Sequence, residues 1–418
     1  MKYINNNIVR NIMIILPAVA TLFMFCYVVQ HYALNLPLWD DYYQSLVFVN
    51  NYVTQDSITQ KALLLIAQHN EHRIFLVRLI VLLYYKIFGI LNFKILIVIS
   101  QIILLSCIIP LYILFDRINK KQVIFNLVLI FMLILCPVQS GTFVWFGSSL
   151  QQNLQLLFAL STMCFLLRYC DRSEPRALVM FIILMISNVF IGGSWVCLFI
   201  ATLVFAIFQR NIKLTIIISI TIVVMATLSI EVLPYKVLQR SMPDLYQLLT
   251  FIRGFTGSTF IPHEYGVKIG VFILILEILL MKNIFKNKTW LLWSIFFFVT
   301  AVIIGVSRQG SNGLEDKYAI YSLINLGMII VVLINVYKSY FYKLLVVYII
   351  LLLNMFDFKH YQRNIYIDLN KPEWKTGNLI IYPDRDMAIN IYLQSKKLGI
   401  YNSDLIDQEL FKFKGKSI

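Results

Sequence analysis

Two aspartates stand side by side in the run Trp39-Asp40-Asp41-Tyr42-Tyr43, about ten residues beyond the first long apolar stretch of the chain. Carboxylates are costly beside hydrocarbon, so a pair held just past a span either marks the water boundary or works there. A carboxylate in that position can deprotonate a hydroxyl or hold a divalent cation over a phosphate. Trp39, Tyr42 and Tyr43 add aromatic faces suited to a sugar ring or to the headgroup layer. A second polar cluster follows at Gln68-His69-Asn70-Glu71-His72-Arg73. His69 and His72 are three apart, which permits a shared metal on a helix face, but no cysteine joins them and no third ligand is fixed by spacing. The cluster is better read as facing the same cavity as the Asp pair than as a metal site or the capped end of a helix. Arg253, Arg308 and Lys317-Tyr318 are the remaining candidates. A lone arginine near a membrane usually snorkels or meets lipid phosphate, whereas several converging make a phosphate clamp. The candidate acids and bases are therefore Asp40, Asp41 and Glu71. The candidate substrate contacts are Trp39, Tyr42, His69, His72, Arg73, Arg253, Arg308, Lys317 and Tyr318. Glu277 and Asn188, inside apolar runs, read as interhelical hydrogen bonders.

The elements that must position these groups are membrane helices. Hydrophobic residues make up 60% of the 418, charged residues only 14%, and mean hydropathy is +0.77, far more apolar than a soluble core needs. Runs long enough to cross occur near 8–30, 94–115, 122–137, 153–168, 212–233, 266–281, 290–306, 319–337 and 343–356. The stretch 177–209 is too long for one span and is broken by Gly192-Gly193-Ser194, which predicts two short helices in a tight hairpin. The first run follows Lys2 and Arg10 and lacks a small-residue cleavage pattern, so it reads as a retained anchor.

Run 74–91 is ambiguous, because Arg73 opens it and Arg78 and Lys86 lie inside it. If it stays in the interface or re-enters, six loops on one side hold fifteen Lys/Arg and the short loops opposite hold five. The positive-inside bias selects that arrangement: eleven spans, amino terminus cytoplasmic, carboxyl terminus outside. All six cysteines then fall in spans or at the inner end of one, leaving no outer disulfide pair. The net charge of +15 needs no nucleic acid, since basic residues concentrate in the inner loops and in the tail, where they suit anionic lipid or substrate.

The chain divides into a membrane domain, 1–356, with a long first outer segment at 31–93, and a carboxyl-terminal segment, 357–418. Within 31–93, Ser57 and Gln60 form a capping-box signature ahead of Ile58, Ala62, Leu65 and Ile66, which predicts a juxtamembrane amphipathic helix. The other outer loops are 138–152, 234–265 and 307–318. The tail predicts helices near 385–399 and 403–413, the second opened by Ser403, packed on the outer loops.

The pattern resembles the GT-C class of integral-membrane glycosyltransferases. An acidic pair opens a long first outer loop, an Asn-Glu-His-Arg cluster ends its juxtamembrane helix, and a late loop runs Ser307-Arg308 to Lys317-Tyr318-Ala319-Ile320-Tyr321-Ser322. Size and short tail are most similar to bacterial and prophage enzymes that decorate O-antigen or other surface glycans. Lys317 stands where that pattern has arginine, which keeps the charge and loses the bidentate fork. The resemblance implies an inner-membrane enzyme using a polyprenyl-phosphate-sugar donor, such as a glucosyl lipid, with transfer to a surface glycan or lipid-linked glycan on the periplasmic side. Asp40 or Asp41 is then the base of an inverting displacement, and Arg73, Arg253, Arg308 and Lys317 stabilise the departing lipid phosphate. No Gly-rich phosphate loop or soluble nucleotide-binding domain is present, which fits a lipid-linked donor. A flippase or transporter is the competing class and places ionisable residues along the spans; a glycan polymerase relies on arginine-rich outer loops.

Overall fold

A computed structural model describes residues 6–70, 72–120, 122–193, 195–228, 243–259, 263–308, 311, 313, 316–337, 339–364 and 384–414. Its only described strands are a two-residue pair, β1 (Gln68–His69) and β2 (His72–Arg73); the rest of its regular structure is helical. Six helical segments among the described residues are long and apolar enough to cross a bilayer: Ile8–Tyr32, Phe93–Ile118, Val123–Val144, Phe146–Arg172, Lys288–Ser307 and Tyr340–Gln362. Shorter apolar helices accompany them at Pro175–Asn188, Trp195–Phe208, Ile212–Thr227 and Ala319–Asn335. By length and composition the chain is a multi-pass, all-α membrane protein. All six cysteines are unpaired.

The helices in chain order begin with α1 (Asn6–Tyr32), α2 (Phe48–Thr54), α3 (Ile58–Ile66), α4 (Phe75–Phe88), α5 (Phe93–Ser106) and α6 (Ile108–Ile118). The expected juxtamembrane helix is α3: Ser57 Oγ accepts from the Gln60 amide, and no residue of the helix is buried. Ile58 and Leu63 stay exposed, as on a helix lying against lipid. The ambiguous run is α4, whose fourteen residues extend about 21 Å, short of the ~30 Å hydrocarbon core. Between α5 and α6 the helix breaks at Cys107, three residues before Pro110.

Next come α7 (Val123–Ile134), α8 (Ser140–Val144) and α9 (Phe146–Arg172). Here the structure differs from the expected outer loop at 138–152, which is largely helical and mostly buried. Its polar residues look like a loop in sequence but pair inside the bundle. Gln139 Nε2 donates to the Ile134 carbonyl at 3.0 Å, and Asn153 Nδ2 donates to the Ser100 carbonyl and hydroxyl at 3.0 Å. The predicted hairpin is present as α10 (Pro175–Asn188) and α11 (Trp195–Phe208), followed by α12 (Ile212–Thr227).

The second half holds α13 (Leu245–Gly257), α14 (His263–Leu279), α15 (Met281–Lys286), α16 (Lys288–Ser307), α17 (Ala319–Tyr337) and α18 (Tyr340–Asn364). Helices α13 and α14 cross so closely that a Cβ on Gly257 would sit 1.7 Å from the Gly266 carbonyl oxygen, a contact only glycine allows. Helix α18 runs past the expected span end at 356, with Asp357 buried in it and accepting from the Cys136 thiol at 3.8 Å. The tail supplies α19 (Arg385–Lys397) and α20 (Asp404–Lys414), near the predicted bounds.

Two apolar clusters result. The larger gathers α7, α9, α11, α16 and α17 around Leu129, Phe199, Trp293 and Ile324. The smaller joins the first outer segment to the tail through Tyr42, Val49, Val77, Phe93, Phe146, Tyr392 and Tyr401. Tyr401 Oη donates to the Asn35 carbonyl at 2.7 Å, and the Leu91 amide donates to the Ile400 carbonyl at 2.7 Å, so the tail is docked at the Asp40 end of the bundle. Residue 118, at the other end of α6, belongs to the opposite face. Reporter fusions are therefore expected to place residues 118 and 400 on opposite sides of the membrane, with 118 cytoplasmic if the positive-inside bias holds; both on one side would sink this arrangement.

Candidate active site

The two aspartates are neighbours in sequence and opposites in environment. After α1 the chain turns at Trp39, whose φ of 40° is in the left-handed region, and enters a π-helical turn at Tyr42–Val47. That sharp turn sends Asp41 inward and Asp40 outward.

Asp41 is fully buried and pins the first outer segment to the start of α9. One carboxylate oxygen accepts from the Leu38 amide at 2.9 Å; the other accepts from the Gly147 amide at 2.8 Å and from Gln44 Nε2 at 3.1 Å. Gly147 lies in the first turn of α9, where a negative charge is favoured by the helix dipole. Burial nevertheless pushes the Asp41 carboxyl up to about 7, against the pull of its three N–H donors. Trp39 closes the same junction from the side, its ring edge-on to Trp145 at 4.7 Å.

Asp40 keeps about half its side chain exposed. Its Oδ1 accepts from Asn70 Nδ2 at 3.3 Å, and His69 Nε2 stands 3.8 Å away, too far for a hydrogen bond. His69 above all, with Asn70 and the charge of Lys317 assisting against partial burial, holds the Asp40 carboxyl below the usual carboxylate range. The β1–β2 hairpin sets this geometry: His69 pairs with His72 and Gln68 with Arg73, while Asn70 takes a left-handed φ of 49° at the tip. Glu71 lies outside the described residues.

Lys317 and Tyr318 belong to a short 3-10 turn before α17. Tyr318 is buried against Phe251 and Phe255 of α13, with centroids 6.4 Å and 5.9 Å away. Lys317 Nζ lies 5.2 Å from the Tyr318 ring centroid, a cation–π distance, and is near enough to Asp40 to act on its charge. Asp40, His69 and Asn70 thus join the first outer segment to the hairpin, and the charge of Lys317 in the late loop acts on Asp40 as well.

The other candidates lie elsewhere in this region. Arg253 is on α13 between Phe251 and Phe255, and Arg308 follows the last residue of α16; both are half-buried. Asp40 itself contacts His69 and Asn70. Arg73 is buried and donates Nη1 to the Ile66 carbonyl at 2.7 Å, while Arg78 donates to the Leu64 carbonyl at 2.8 Å and to that of Ala67. Together they cover the carboxyl end of α3, where the helix dipole favours cations. Tyr42 is wholly buried in the smaller cluster, so its ring packs against the core rather than facing a sugar. Asn70, Gln44, Trp145 and Gly147 complete the arrangement. Of these, only Asn70 lay in a run the sequence marks as unusual.

Among the described residues no three His, Cys, Asp or Glu side chains gather as a metal ion would need. Asp40 and His69 alone give two donor groups, fewer than a protein-held divalent cation takes, and a phosphate or water would have to complete the set. No family model, no curated protein and no solved structure matches this chain.

Proposed function

We propose that the chain is a membrane glycosyltransferase of the GT-C kind, moving a sugar from a polyprenyl-phosphate donor to a surface glycan on the periplasmic side of a bacterial inner membrane. The observation that carries this reading is the half-exposed Asp40 carboxylate, held low by His69 and Asn70, with the charge of Lys317 adding to their effect. In the proposed step the acceptor hydroxyl oxygen bonds to the anomeric carbon as the bond from that carbon to the donor phosphate breaks. The configuration inverts, and the hydroxyl proton passes to Asp40. A carboxyl held low is a weak base, so Asp40 acts chiefly by orienting the hydroxyl and offsetting positive charge on the sugar, taking the proton late. Lys317 meets the phosphate as it leaves, an electrostatic role.

Incubation of the purified full chain with polyprenyl-phosphate-linked hexoses and a glycan acceptor tests this directly. Transfer is expected, and Lys317→Ala should raise the KM for the donor about tenfold or more, the scale of one lost charge-assisted contact. A chelator in the same assay tells whether a divalent cation bridges Asp40 and the phosphate. No transfer from any such donor, with lipid-linked glycan still crossing the bilayer, would favour a transporter. One observation leans that way: Glu277 is buried in α14, accepting from Asn325 Nδ2 at 2.7 Å, and Asn325 in turn accepts from Trp293 Nε1 at 3.2 Å.

A further inference from the structure

At the end of the bundle away from Asp40, a cavity of about 830 Å3 opens between α6, the last turns of α9 and the start of α16. Gly147, which binds Asp41, and Asp171, which lines this cavity, lie at the two ends of α9, roughly 36 Å apart at the helical rise. It is thus separate from the site of proposed transfer.

The rim of the cavity carries Arg117, Lys120, Arg168, Arg172, Lys286 and Lys288. Two carboxylates face these six cations. Asp171 pairs with Arg117 and, at 3.6 Å, with Lys288; Glu174 pairs with Arg168 at 2.6 Å and Arg172 at 3.5 Å. A surplus of positive charge remains. Arg117 is also held in place from α16, its Nε donating to Thr289 Oγ1 at 3.2 Å. Asn287 Oδ1 caps α16 by accepting from the Thr289 and Trp290 amides at 3.0 Å and 3.1 Å, so the positive end of that helix dipole points the same way.

The wall beneath the rim is apolar. Ile109, Ile113 and Phe165 line it, and Ile109 and Ile113 are 68% and 43% exposed on a segment long and apolar enough to cross the bilayer. The cavity therefore has a cationic mouth and a hydrocarbon-facing flank. The positive-inside bias accounts for cations at this level, but not for a cavity beneath them or for an arginine clasped between three helices. A free phosphate needs only the mouth; a lipid uses both parts.

We propose that this cavity binds the phosphate headgroup of an anionic membrane lipid, with the acyl chains lying along Ile109 and Ile113. The bound lipid ties the ends of α6, α9 and α16 together.

The test uses the full chain in neutral detergent with three probes at equal concentration: phosphatidylglycerol, phosphatidylcholine with the same chains, and inorganic phosphate. Phosphatidylglycerol is expected to be retained at one per protein in native mass spectrometry and to raise the thermal midpoint, and the other two to do neither. The double substitution of the exposed Lys120→Gln and Lys286→Gln should weaken phosphatidylglycerol binding roughly tenfold or more. Ser161→Trp, which fills the cavity with the rim intact, should do likewise. Lys213→Gln, in the first turn of α12 and outside the cavity lining, should change nothing. Unaltered retention in both cavity variants, equal weakening by Lys213→Gln, or equal stabilisation by inorganic phosphate would each overturn the proposal.

Discussion

Asp40→Asn is expected to leave the protein in the membrane at the wild-type level while lowering glycosyl transfer by a factor of about 100 to 10,000, the usual cost of removing a general base. The side chain is half exposed, and an asparagine there still accepts from Asn70 Nδ2, so the hairpin keeps its place. What disappears is the negative charge opposite the reacting sugar. Because His69 is the largest influence holding the Asp40 carboxyl low, the wild-type rate should fall with acid only below the ordinary carboxylate value of about 4. His69→Gln should move that acid limb upward in pH without abolishing the plateau, since Asp40 then ionises closer to its ordinary value. Full activity in Asp40→Asn removes the carboxylate from the mechanism. An unmoved acid limb in His69→Gln shows that the limb belongs to another group.

Periodicity and caps made the helices legible. The break at 192–194 announced the α10–α11 hairpin, Ser57 with Gln60 announced α3, and Ser403 announced α20. The region from 138 to 152 was not legible as helix, because polar residues such as Gln139 look solvated until their buried partners are known. Nor do adjacent residues such as Asp40 and Asp41 reveal which of them faces water; that shows only in the left-handed turn at Trp39 and in the three N–H donors that hold Asp41 inside. Arg73 has a structural partner that its sequence setting does not announce. Arg73 has the charge of a phosphate ligand, but a helix end seven residues upstream offers its carbonyls first. Lys317 is a candidate by motif alone, and what fixes its turn is the packing of Tyr318 under α13.

Asp41 should fail differently from Asp40, through the fold rather than the chemistry. Asp41→Ala strands three buried N–H donors, from Leu38, Gln44 and Gly147, and each orphaned donor costs on the order of 1–3 kcal/mol. The expected result is a protein that accumulates poorly and unfolds at a markedly lower temperature. Gly147→Ala should act in the same direction, because its Cβ would lie 1.4 Å from Gln44 Nε2 and 2.5 Å from Asp41 Oδ1. The sign of the pH effect separates charge from packing. Burial raises the Asp41 carboxyl to about 7 in the folded chain, whereas an unfolded aspartate titrates near 4, so protons bind the folded form preferentially between those values. The stabilisation from that proton is fully present below about pH 4 and is lost as pH rises through about 7. Asp41→Asn does not titrate, so the thermal midpoint it loses relative to the wild type should be larger at pH 5 than at pH 8. A difference that stays flat across that range would mean that Asp41 is ionised throughout, with its three N–H donors and the α9 dipole outweighing burial.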